Sequence, residues 1–307
     1  MKTTAAARPA VNVYSMVNQK IMELLQNGTV PWRKPWNAEA GQPKNLISKK
    51  EYKGINTFIL GSQQYGSQYW LTFKQAQEKG GHIRKGEKAS LVVFWKWIDR
   101  TGSSETVSDD VDVSVSRTGK IPMLRYYNVF NLDQCEGIPE PPRQETRNIF
   151  TPIELAEQIV SEMPLRPEIL HGGNKAAYSP TFDKIKMPEK YTFNTPEEYY
   201  CTLFHELSHS TGSEKRLARK SLMEVTGFGS HEYSKEELVA EFSSAFLCAF
   251  SGIEQKTLEN SAAYLRGWLK SLKNDKTMLV MASSMGQKSA DYIINRKEDQ
   301  IELDEAA

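Results

Sequence analysis

The segment His205-Glu206-Leu207-Ser208-His209 constrains this chain more than any other. Two imidazoles four residues apart can share one ion only if the backbone between them is helical. Four residues is just over one helical turn, so both rings leave the same face. Imidazole nitrogens in this arrangement suit zinc or another divalent metal. The neighbouring carboxylate, Glu206, is then placed to take a proton from an attacking water, the role of a general base. The flanking residues agree with a helix over 196–211. Thr195, Pro196 and Glu198 read as a capping box with proline at the first helical position. Tyr200, Leu203, Phe204 and Leu207 form an apolar stripe, and Gly212 supplies the stop.

A catalytic zinc also needs a third protein ligand and an open position. In the pattern H-E-x-x-H-x-x-G-x-x-H, a third histidine follows the glycine; here Lys215 stands in its place, and an ammonium cannot ligate. The best source is Glu236-Glu237-Leu238-Val239-Ala240-Glu241, on a helix predicted over 235–251, where Glu237 and Glu241 share a face. This E-x-x-A-E arrangement resembles gluzincin-type metallopeptidases. The resemblance implies Glu237 as the third ligand and Glu241 as the acid that orients a ligating histidine. Two alternatives stay open. Glu241 is one other candidate ligand. In the other, Ser234-Lys235-Glu236-Glu237 is a capping box, with Glu237 spent on the Ser234 backbone. Tyr233, His231, Tyr178 and Tyr264 are candidate donors to a developing oxyanion. Residues 175–187 read as extended and could offer an edge to a substrate strand.

Charge divides the chain. The net charge is +1, yet residues 1–100 carry 16 Lys and Arg against 6 Asp and Glu, while 151–307 carry 18 against 24. A basic first third joined to an acidic second half predicts two domains with different partners. The proline-rich GIPEPPRQETRN, 137–148, marks the join. The expected division is 1–140, a linker 141–149, and 150–307, with an α+β class throughout. The first part reads as helices at 12–27, 54–65 and 72–80, then strands at 90–98 and 122–130 around a polar loop at 100–120. The second reads as mostly helical, at 152–163, 196–211, 235–251 and 258–273. No run approaches the ~20 apolar residues of a membrane helix, and the N-terminus lacks an apolar core of signal-peptide length. Cys135, Cys201 and Cys248 lack C-x-x-C spacing, which argues against a disulfide framework or a thiolate zinc site. A reducing cytoplasm is the expected compartment.

The basic region is also aromatic. Trp32, Trp36, Trp70, Trp95 and Trp97 all precede residue 100 and interleave with Arg33, Lys34, Lys53, Lys74, Arg84, Lys85 and Lys88. Cations neutralise phosphate, and open aromatic faces stack unpaired bases, so this pattern predicts a partner in single-stranded DNA. The residues expected to carry it are Trp32, Arg33, Lys34, Trp36, Lys53, Trp70, Lys74, Arg84, Lys85 and Lys88. Trp32 and Trp36, in a proline-held loop, are expected to be exposed.

The chain resembles the ArdC family of plasmid antirestriction proteins, related to the N-terminal part of TraC-type plasmid primases. The residues that carry this are I-M-E-L-L-Q-N-G-T-V-P-W-R-K-P-W (21–36), Y-K-G-I-N (52–56), Y-W-L-T-F-K-Q-A (69–76), G-G-H-I-R-K-G-E-K (80–88) and Y-N-V-F-N-L-D-Q-C-E-G (127–137). In the second half they are A-Y-S-P-T-F-D-K-I-K-M-P (177–188), H-E-L-S-H-S-T-G (205–212) and E-E-L-V-A-E (236–241). The resemblance implies an N-terminal domain binding single-stranded DNA and a C-terminal zincin-like domain. It also implies protection of incoming plasmid DNA from host restriction during conjugation, with a protein substrate or a host restriction component as a further partner. The chain departs from the commoner form at Ser213-Glu214, where a histidine often follows the glycine.

Overall fold

A computed structural model describes residues 12–32, 41–99, 120–142, 151–223, 231–253 and 262–296. Helix α1 (Val13–Gln26) opens under an Asn12 cap, whose side chain accepts the Ser15 N–H at 3.0 Å. There follow β1 (Lys44–Asn45), α2 (Ile55–Gly61), β2 (Tyr69–Leu71) and α3 (Phe73–Glu78), with Thr72 and Gln75 forming a reciprocal capping box at the start of α3. Next come β3 (His82–Ile83), β4 (Ser90–Asp99), β5 (Lys120–Asn131) and β6 (Cys135–Glu136). β4 and β5 pair antiparallel in register from Ser90↔Val129 to Asp99↔Lys120, as the two β-branched and aromatic runs predict. With β1 and β2 they form a four-stranded sheet ordered β1-β2-β5-β4. The polar loop expected over 100–120 lies almost wholly outside the described residues, as does most of the expected linker.

The second half begins with α4 (Pro152–Glu162), entered through a Thr151–Glu154 capping box. A small sheet of β7 (Glu168–His171), β8 (Ala177–Ser179) and β9 (Lys184–Met187) follows, ordered β7-β9-β8, so β8 is an edge strand. The remaining helices are α5 (Pro196–Ser210), α6 (Lys220–Met223), α7 (His231–Ser251), α8 (Ala262–Asn274) and α9 (Met278–Ile293). The class is α+β with a mainly helical second half. α9 has no counterpart in the sequence reading. Its buried face has Met278, Leu279, Val280 and Ile293 at its ends, but between them lie the small residues Ala282, Ser283, Gly286, Ser289 and Ala290, which interrupt the apolar stripe. They let α9 lie close on α7: a Cβ on Gly286 would come within 2.8 Å of the Phe242 Cβ.

One continuous core spans both halves. Val17, Ile21 and Leu25 of α1, Phe58 of α2 and Val93 of β4 cluster with Phe204, Phe242, Phe246 and Leu279 of the helices. Phe58 stacks on Phe246 with centroids 4.8 Å apart. Trp32 stands edge-on to Phe242 at 5.0 Å and to Trp268 at 6.1 Å. The exposure expected for Trp32 therefore fails. A proline-held loop does not hold its tryptophan in water when an aromatic cavity lies beneath it, because covering a large ring outweighs what local spacing suggests. Among the described residues no helix is long and apolar enough to cross a membrane.

Candidate functional site

The helix α5 places His205 and His209 on one face, as four-residue spacing dictates, with their Nε2 atoms 3.1 Å apart. α7 crosses behind it and supplies Glu237, whose carboxylate oxygens lie 3.4 Å from His205 Nε2 and 3.6 Å from His209 Nε2. Ligands around a tetrahedral ion at ~2.0–2.1 Å stand about 3.3 Å from one another. The three groups already have that spacing, and among the described residues they are the one cluster of His, Cys, Asp and Glu so gathered. The donor set, two imidazoles and a carboxylate, fits a divalent cation with a position left open. α7 starts at His231, so Ser234 lies within the helix and does not cap it. The capping alternative for Glu237 is thereby removed, and the carboxylate faces the imidazoles.

The electrostatics follow from this crowding. Burial by itself would lower the pKa of His205; its hydrogen bond to Glu237 and the charges of Glu241, Glu206 and Glu237 outweigh that and push it up to about 9. Glu241 is buried, and its charge bears on His205. Glu206 is also buried, and its Oε2 accepts the backbone N–H of Tyr178 at 2.8 Å. That bond ties the edge strand β8 to the site. The outward donor of Tyr178 is occupied there, so a substrate strand cannot use it while Glu206 holds it.

Sequence reasoning missed one carboxylate. Glu236 is buried, and its Oε1 lies 3.4 Å from His209 Nδ1. Burial raises its pKa, but hydrogen bonds from His209 and Arg219 hold it at about 2. An ionised acceptor there requires the proton on Nδ1, which leaves Nε2 free to face Glu237 and His205. Glu236 is held in turn by the buried Arg219, which donates Nε–H to Oε2 at 3.1 Å and another N–H to the Ser208 carbonyl at 2.8 Å. Gly212 makes room for this arginine, since a Cβ there would stand 2.9 Å from Arg219 Nη2. The glycine read as a helix stop is thus also a packing requirement. The signal was available: Glu236 falls on the same predicted helix, one residue before Glu237.

Of the candidate oxyanion donors, Tyr233 adjoins the cluster. Burial, the charge of Glu237, a hydrogen bond to it and the charge of Glu206 push its pKa up to about 12. Tyr178 gives its phenol to Asp183 at 3.0 Å. The side chains of His231 and Tyr264 lie outside the described residues.

The residues chosen for DNA divide differently. Trp32 and Trp70 are buried, Trp70 under the edge of Tyr65 at 5.5 Å. Trp95 is half-buried against Tyr14. Arg33, Lys34 and Trp36 lie outside the described residues. Lys53, Lys74, Arg84, Lys85 and Lys88 are exposed; Lys74 pairs with Glu78 at 3.7 Å and Arg84 with Glu87 at 3.0 Å.

Comparison with known proteins bears on both regions. Residues 11–130 match the family model described as the N-terminal domain of anti-restriction factor ArdC, and residues 154–285 match a zincin-like metallopeptidase model. The crystal structure of the antirestriction protein ArdC from plasmid R388, without metal, superposes with a TM-score of 0.70 at 35% identity, covering 92% of this chain and 97% of that one. Its Mn(II)-bound form does so with a TM-score of 0.70 at 34% identity, covering 93% and 98%. The DNA primase TraC of Escherichia coli is 33% identical over 302 residues, 94% of this chain but 28% of the primase. The chain therefore spans little more than a quarter of that curated relative.

Proposed function

The chain belongs to the ArdC family of antirestriction proteins, and on that premise we propose that it binds single-stranded DNA and protects incoming plasmid DNA from host restriction during conjugation, using a zinc-dependent peptidase-type centre. The observation that carries the enzymatic half is the triangle of His205, His209 and Glu237 at 3.1, 3.4 and 3.6 Å, with Glu206 beside it. These three residues would hold the ion. Zinc, or the manganese that the R388 protein binds, supplies a Lewis acid when present. The rest of the work falls to the chain. Glu206, steadied by the Tyr178 N–H, takes a proton from the attacking water and returns it to the departing amine. Tyr233 keeps its proton at neutral pH, and its O–H, turned from Glu237, donates to the oxyanion that forms on the scissile carbonyl. Glu241 and Glu236 fix the imidazoles from outside. The substrate is a peptide segment of a protein, such as a host restriction component.

Glu206→Gln tests the reading. Metal and DNA binding should persist, while peptide cleavage should fall by about 10²–10⁴-fold, the worth of a general base. Plasmid transfer into a restricting host then separates two mechanisms. Lost protection supports proteolysis; full protection from the variant contradicts it and leaves DNA binding as the shield.

A further inference from the structure

The outer face of the β4–β5 pair carries chemistry that the tryptophan pattern hid. The register sets Val92 opposite Tyr127, Phe94 opposite Arg125 and Lys96 opposite Met123, and alternation puts these six side chains on one face. The other face, with Val93, Trp95 and Leu124, belongs to the core. On the outer face the rings of Phe94 and Tyr127 stack with centroids 4.5 Å apart and planes 5° from parallel. Tyr127 is 41% exposed, and Arg125 and Lys96 are exposed on either side. No acidic side chain stands among the six. Toward Val92 the face runs into Val129, Trp70 and Tyr65, where the charges of Glu87 and Asp133, and after them that of Arg84, bear on the Tyr65 phenol.

We propose that this face, with Phe94 and Tyr127 as the stacking pair and Arg125 and Lys96 as the phosphate contacts, is where the chain holds single-stranded DNA. The inference rests on the DNA-binding reading above and names its site. Charge decides the occupant. Open π-faces alone would serve an apolar protein partner, but a patch of six described residues whose two charges are both cations, flanking two parallel rings, matches a chain of stacked bases joined by phosphates. Paired strands hold the rings in place, so little ordering is required when a base stacks on the outward side of the pair. Duplex DNA, with its bases already stacked, offers no face to these rings.

The test uses the full-length protein and fluorescein-labelled oligo(dT), with affinity read by anisotropy across a salt series. The double variant Phe94→Ala/Tyr127→Ala should lose at least about tenfold in affinity, and Tyr127→Phe should keep it. Arg125→Ala should make the slope of log Kd against log salt shallower by about 0.7. Tyr191→Ala removes a ring that is 85% exposed elsewhere and should change nothing. Thermal melts of each variant matching the wild type show that the surface alone has changed. Wild-type affinity in the double variant overturns the site while leaving the DNA reading standing. No binding of oligo(dT) by the wild type overturns that reading and the site with it.

Discussion

The metal centre and the basic aromatic region both announce themselves as sequence motifs, yet they fare differently on folding. The His205–His209 spacing survives because a helix converts sequence distance directly into spatial distance, and only one face can serve. The tryptophan–cation interleaving does not, because whether a ring is open or buried depends on what packs over it. For Trp32 those partners come from other elements, since Phe242 and Trp268 lie more than two hundred residues away; Trp70 is covered by Tyr65, Val92 and Val129. A local motif is legible when local geometry fixes the chemistry, and illegible when burial decides it.

The contrast is sharpest if Trp32 and Tyr127 are truncated side by side. Trp32→Ala should cost about 3–5 kcal/mol of stability, the range for a fully buried aromatic, and show no DNA defect beyond the unfolded fraction. Tyr127→Ala should do the reverse. Chemical denaturation alongside anisotropy reads both, and equal DNA defects at matched stability would break the distinction.

The same rule sorts the rest of what was readable. Capping residues Thr72, Thr151 and Thr195 marked where α3, α4 and α5 begin, because a cap bonds its own neighbours. The β4–β5 pairing followed from two matched runs. α9 escaped because small residues fill the middle of its buried face, where it packs by close approach to α7, and leave apolar side chains only toward its ends. At the site, helix spacing put Glu237 and Glu241 on one face without choosing between them; Glu236 lay on the same predicted helix, but the partner that marks it, Arg219, comes from the segment between α5 and α7.

Smaller effects probe the centre itself. Glu236→Ala should weaken metal binding about 10–100-fold, as loss of a carboxylate behind a ligating histidine does. Competition with a chromogenic chelator measures it; unchanged affinity would show that His209 needs no such support. The pH dependence has a definite sign. His205 titrates near 9, above its ordinary value, so at neutral pH an incoming ion must displace a proton. Affinity should rise about tenfold per pH unit up to 9 and then level, with proton release seen in calorimetry at pH 7. The metal-free protein should behave oppositely: the contribution of protonated His205 to stability is complete below the unfolded pKa of about 6.5 and is lost as pH rises through 9.

The most direct test is metal stoichiometry by elemental analysis after equilibration with zinc and exhaustive dialysis, for wild type, Glu237→Gln and Glu241→Gln. The account predicts one ion per chain for wild type and for Glu241→Gln, and none retained by Glu237→Gln. A wild type that retains no ion, or a Glu237→Gln protein that keeps it while Glu241→Gln does not, would contradict it.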